Sequence, residues 1–68
     1  MDNRIRELRR QHKLTQEQLS KKVGVSRQSI VAIETGKYNP SLQLAFNIAK
    51  QFNLSIEDVF IFKEGDDQ

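Results

Sequence analysis

Two short helical patterns lie between Thr15 and Thr35, separated only by Gly24-Val25-Ser26. A glycine-containing turn that short sets its two helices at a steep angle. Thr15 followed by Gln18 reads as a capping box that opens the first of them, with Leu19 and Val23 as its buried face at i and i+4. Gly24 suits the left-handed conformation that stops a helix, and Ser26 caps the next one, whose inward residues are Ile30 and Ile33. Gly36 supplies a second stop. Leu19, Val23, Val25, Ile30 and Ile33 form the wedge between the two helices, and Ser20 is small where the second must pass closely. Taken alone, this pattern also fits an αα-hairpin in a generic bundle.

The rest of the chain reads as three further helices, giving an all-α, five-helix fold. The first spans about Asn3 to His12, with Asp2 or Asn3 as cap and Ile5 and Leu8 three apart on one face. Asn39-Pro40 makes a turn, because a residue before proline avoids the helical region. Ser41 then caps a helix with Leu42, Ala45, Ile48, Ala49 and Phe52 as its apolar stripe, and Asn53 is a left-handed stop. Ser55 caps the last helix, where Glu57 and Asp58 favour the positive end of the helix dipole. Residues 1–63 are expected to form the domain and residues 64–68 an acidic, flexible tail.

With 68 residues there is room for one domain, near the size at which a single core becomes marginal. No cysteine is present for disulfides or a thiolate metal site, and there is one histidine, so packing or oligomerisation must supply stability. No apolar run approaches the roughly 20 residues of a membrane span, and the charged start of the chain does not suit a signal-peptide core. The expectation is a cytoplasmic protein with no membrane partner. A net charge of +2 is weak evidence for any partner, but residues 1–50 hold ten Lys/Arg against four Asp/Glu, and residues 51–68 one Lys against five. A basic body can approach phosphates while an acidic end stays in solvent.

The outer face of the Ser26-capped helix carries Arg27, Gln28, Val31, Ala32 and Thr35, clustered at 3.6 residues per turn away from Ile30 and Ile33. A face serving only solvent usually carries more charge. Arg27 and Gln28 stand in the first turn, the end of a recognition helix that reaches base edges in the major groove. Arginine can bond guanine bidentately and glutamine adenine, while Val31 or Ala32 can pack on a thymine methyl. Ser29 can contact a phosphate or simply fill the helix surface.

The run Leu14-Thr-Gln-Glu-Gln-Leu-Ser-Lys-Lys-Val-Gly-Val-Ser-Arg-Gln-Ser-Ile, followed by Ile33-Glu-Thr-Gly-Lys, resembles the Cro/CI-type (XRE-like) helix-turn-helix family. The resemblance extends from about Ile5 to Phe60, and Tyr38-Asn-Pro-Ser-Leu resembles compact stand-alone members such as the cytolysin operon repressor. It implies a five-helix, lambda-repressor-like domain, a short terminal strand near Phe62, a homodimer on a two-fold symmetric operator, and repression. It places Gln16 at the start of the second helix as a phosphate contact that also buttresses the recognition helix. Arg27 and Gln28 match base-reading positions, whereas Ala32 stands where several phage repressors carry a longer polar side chain. Ser26, Ser29, Thr35, Lys37, Tyr38 and Asn39 fall along the DNA backbone, with packing on the domain as the alternative for Tyr38. Arg9 and Glu34 match a pair that forms a partly buried salt bridge.

One such domain reads few base pairs, so a dimer is expected. Leu44, Phe46, Leu54, Phe60 and Phe62 are its candidate surface, with the monomer core as the rival reading for Phe60. An antitoxin-like or adaptor module that holds a protein partner on the same apolar patch is the competing function. An enzyme is disfavoured: His12 stands alone, no nucleophile and base pair can be placed, and adjacent Glu57 and Asp58 do not face each other. No metal-ligand cluster, cofactor motif or small-molecule effector pocket is expected.

Overall fold

A computed structural model of the chain, describing residues 1–62, contains α1 (Ile5–Gln11), α2 (Gln16–Val23), α3 (Arg27–Glu34), α4 (Leu42–Gln51) and α5 (Ile56–Val59). Two short strands, β1 (Asp2–Asn3) and β2 (Phe60–Ile61), join the ends of this array. They pair antiparallel, Asp2 opposite Ile61 and Asn3 opposite Phe60. The acidic segment 64–68 lies outside the described residues.

Local chemistry sets most helix boundaries. At Thr15 the hydroxyl accepts from the Gln18 N–H (3.0 Å) and the Thr15 N–H donates to the Gln18 side-chain Oε1 (2.9 Å), so two orphan donors are satisfied reciprocally. Ser26 and Ser41 cap α3 and α4 by accepting from Ser29 and Leu44 N–H groups. Ser55 and Asp58 form a second capping box, so Asp58 closes a hydrogen-bonded ring besides favouring the helix dipole. Gly24 ends α2 at φ 77°, a left-handed conformation that costs a side-chain-bearing residue about 1–2 kcal/mol. Asn53 takes the same region at φ 58°, and so does Lys13 at φ 56°.

The first helix is shorter than its sequence pattern. Asn3 lies in β1, and the N-cap position belongs to Arg4, whose side chain makes no capping bond. The capping chemistry survives one residue earlier, because the Asn3 side-chain oxygen accepts the Ile5 N–H at 3.1 Å. The strand foreseen near Phe62 sits at Phe60–Ile61, and its partner β1 carries no periodic pattern that would announce a strand.

Ile5 and Leu8 of α1, Leu19 of α2, Ile30 and Ile33 of α3, and Ala45, Ile48 and Ala49 of α4 converge in one core, closed by Phe52, Val59 and Phe60. Val23, Val25, Leu14, Leu44, Leu54 and Ile56 pack around it. Phe60 is 1% exposed, so it belongs to the monomer core and is removed from the candidate dimer surface. The cause is strand alternation: successive side chains of an extended segment point to opposite sides, placing Phe60 inward and Ile61 outward. The lone histidine packs its ring on Phe52 with centroids 5.1 Å apart. No helix among the described residues is long and apolar enough to cross a membrane, and no group of three potential metal ligands occurs among them.

Candidate nucleic-acid interface

Helices α2 and α3 meet through the turn at Gly24, with Leu19 and Ile30 fully buried between them. Burying Ile30 and Ile33 fixes the rotation of α3 about its axis. Its opposite side then turns outward: Arg27, Gln28 and Thr35 are exposed, and Val31 and Ala32 are half-buried. No intramolecular hydrogen bond or ion pair engages the Arg27 or Gln28 side chain among the described residues. Two polar groups with five and two donors respectively thus stand at the N-terminal end of the helix, where an external acceptor can reach them.

The hydroxyls of Ser26 and Ser29 lie 3.0 Å apart at that end. One hydroxyl proton serves their mutual bond and the other stays free for an anion. Thr35 differs. Its hydroxyl lies 3.0 Å from the Val31 carbonyl and 3.2 Å from that of Ala32, so its single proton is committed within α3. Beyond it the chain reverses at Gly36 (φ 78°), and the Lys37 and Tyr38 N–H groups both return to the Ala32 carbonyl. The side chains of Lys37, Tyr38 and Asn39 are exposed on this loop, Tyr38 at 51%, so packing on the domain does not absorb its ring.

A polar network holds α3 from behind. Arg9 of α1 grips Glu34 of α3 bidentately, Nε to Oε2 at 2.6 Å and Nη2 to Oε1 at 3.1 Å, and Nη1 donates to the Leu14 carbonyl at 2.9 Å. The two side chains are 12% and 5% exposed. Gln16 reaches the same carboxylate, with Nε2 3.5 Å from Oε1. Three helices are therefore tied at one carboxylate. Gln16 also lines an open depression together with Arg9, Leu14, Thr15, Glu17 and Arg27. The residue read from sequence as a backbone positioner and one read as a base contact thus share a single concave surface.

Away from this surface, Phe46 and Phe62 are exposed at 52% and 58%, while Leu44 and Leu54 are half-buried against the core. Leu42, expected in the inward stripe of α4, is instead 78% exposed, because it stands at the first position of the helix, ahead of the turn whose Ala45 reaches the core; Ile61 is 42% exposed. Sequence reasoning read Asn3 only as a helix cap and missed its second contact. Its side-chain nitrogen donates to the Ile33 carbonyl at 2.9 Å across 30 residues of chain, a contact with no local sequence signal.

Comparison with known proteins agrees with this geometry. A helix-turn-helix family model matches residues 5–59. An HTH-type transcriptional regulator of Methanocaldococcus jannaschii is 59% identical over 64 residues, covering 94% of this chain and 97% of that protein. The DNA-binding domain of the P22 c2 repressor superposes with a TM-score of 0.74 at 31% identity, covering 79% of this chain and 71% of the other. The restriction-modification controller protein C.AhdI from Aeromonas hydrophila gives a TM-score of 0.76 at 32% identity, with coverages of 84% and 86%.

Proposed function

Since the chain belongs to the helix-turn-helix family of DNA-binding transcriptional regulators, we propose that it is a sequence-specific repressor that binds a two-fold symmetric operator as a homodimer. The observation that carries the reading is the pair Arg27 and Gln28, exposed and without intramolecular partners on a helix whose other face is locked into the core. Arg27 reads guanine and Gln28 adenine through bidentate bonds, and Val31 and Ala32 supply apolar contact to thymine methyls. Gln16, Ser26, Ser29, Lys37, Tyr38 and Asn39 place the domain on the phosphates; Thr35 joins them only if its hydroxyl leaves the helix carbonyls.

The dimer surface draws on the exposed side chains of Phe46 and Phe62 and the half-buried ones of Leu44 and Leu54. A dimer of this family's kind reads two half-sites about 34 Å apart, one turn of DNA, with one recognition helix in each. Likeness to the P22 c2 repressor domain supports the repressor assignment.

Selecting bound sites from random DNA supplies both the operator and its symmetry. Arg27→Ala and Gln28→Ala are each expected to cost about 1–3 kcal/mol on the selected site and little on random DNA. Gln16→Ala and Lys37→Ala should each weaken binding to all sequences, and Lys37→Ala, which removes a charge, should also flatten the salt dependence by about one phosphate. If both recognition-helix variants keep full discrimination, the reading helix is misassigned. Sedimentation showing a monomer at micromolar concentration, free and on DNA, refutes the dimer and returns the apolar patch to a different protein partner.

A further inference from the structure

The segment Asp2–Arg4 is attached on both sides. Toward the C-terminal end it pairs with β2 through Asp2 and Asn3, and the Arg4 N–H donates to the Val59 carbonyl at 2.8 Å. The Arg4 guanidinium adds a bond to the Asp58 carbonyl at 3.1 Å. On the other side, the half-buried side chain of Asn3 uses both of its ends. Its oxygen accepts the Ile5 N–H at 3.1 Å, and its nitrogen donates to the Ile33 carbonyl at 2.9 Å. That carbonyl also accepts the Gly36 N–H at 3.1 Å, in the turn that launches Lys37 to Asn39. Asn3 therefore bridges the strand beside exposed Ile61 and Phe62 to the last turn of α3.

We propose that Asn3 is a positioning residue that couples β2 to the C-terminal turn of the recognition helix, so that the position of the terminal strand sets how α3 and the Lys37–Asn39 loop are presented to DNA. This rests on the function proposed above and adds a specific coupling to it. The geometry favours such a role over simple anchoring. The segment is already held to β2 and α5 by backbone bonds, which any side chain at position 3 preserves. The amide nitrogen is the group at position 3 that reaches α3, and it binds a carbonyl in the last turn of the helix, next to the loop, where the Met1 backbone also lies close to Gly36.

Asn3→Asp tests this in the full chain. It keeps the acceptor for Ile5 but sets a carboxylate oxygen, with no proton to give, against the Ile33 carbonyl. The selected operator should be bound about five-fold more weakly, the equivalent of one lost hydrogen bond, while affinity for random DNA and the dimer constant stay within two-fold. A fall in thermal stability with equal losses on both DNAs, or no change in their ratio, overturns the proposal. A second readout needs no DNA. Ile61→Ala should shift the backbone amide resonances of Gly36 and Lys37 in the otherwise native chain, and no longer do so in the Asn3→Asp background. Absence of that shift in the native background also overturns the coupling. If the native chain shows no preference among DNA sequences, the proposed function fails while the amide shifts still decide Asn3. Should Asn3→Asp not fold, Asn3→Ser, which keeps a hydroxyl for the Ile5 N–H, is carried through the same two measurements.

Discussion

Replacing Glu34 by leucine should be among the most damaging single changes outside the apolar core, and replacing Arg9 at the same time should reverse the damage. In the native fold the Arg9 guanidinium places two donors on the Glu34 carboxylate and one on the Leu14 carbonyl. Without the carboxylate, Arg9 keeps only the carbonyl while remaining nearly as buried. Removing one partner of a buried pair costs about 3–5 kcal/mol, and the residual exposure of Arg9 puts the value near the low end, about 3 kcal/mol. A 68-residue chain has roughly 3–10 kcal/mol in total at ordinary stability per residue, so Glu34→Leu takes away a large fraction of it. Arg9→Met with Glu34→Leu exchanges the ion pair for apolar groups of similar length and should lie within about 1 kcal/mol of native, or above it. Urea unfolding checks both: with m near 1 kcal/mol/M, the single variant moves the midpoint down by about 3 M at unchanged m, and the double variant restores it. A cost under 1 kcal/mol for Glu34→Leu, or a double variant no more stable than the single, refutes the reasoning. The double variant also separates scaffold from reader, because Gln16 loses the carboxylate 3.5 Å from its amide. Affinity should then drop on all DNA while discrimination by Arg27 and Gln28 survives.

Two further outcomes follow from burial and backbone geometry. Lys13 is exposed at φ 56°, so Lys13→Gly relieves left-handed strain and should raise stability by about 0.5–1 kcal/mol, a few degrees in thermal midpoint; a lower midpoint contradicts it. Phe60→Ala should cost about 3–5 kcal/mol because the ring is 1% exposed, whereas Phe62→Ala, beyond the end of β2 and 58% exposed, should leave monomer stability nearly unchanged and weaken the dimer in sedimentation; equal effects of the two would contradict their difference in burial.

The parts of this fold legible in its sequence are those decided within four residues of chain. Thr15 with Gln18, Ser26, Gly24 and Asn53 each act on neighbouring backbone, so their identity alone announces a helix start or stop. The exposed face of α3 was legible for a related reason, because once Ile30 and Ile33 are buried the helical period dictates the rest. The Arg9–Glu34 bridge spans 25 residues and was reached through a family resemblance, since no local pattern pairs those side chains.

The terminal strands show why the remainder was not legible. Two residues are too few to display a period of two, so Phe60-Ile61-Phe62 reads as a continuous apolar run whose orientation depends on the local backbone being extended. That depends on β1 pairing with it, a contact across nearly the whole chain. Asn3 condenses the problem into one side chain. Its preference for serving a free N–H at a helix start was readable, and the oxygen does so for Ile5. The nitrogen on the same amide then has to find an acceptor, and the fold brings the Ile33 carbonyl to it. A local rule therefore placed half of a residue whose other half is defined only by tertiary structure, and that other half is the one that reaches the recognition helix.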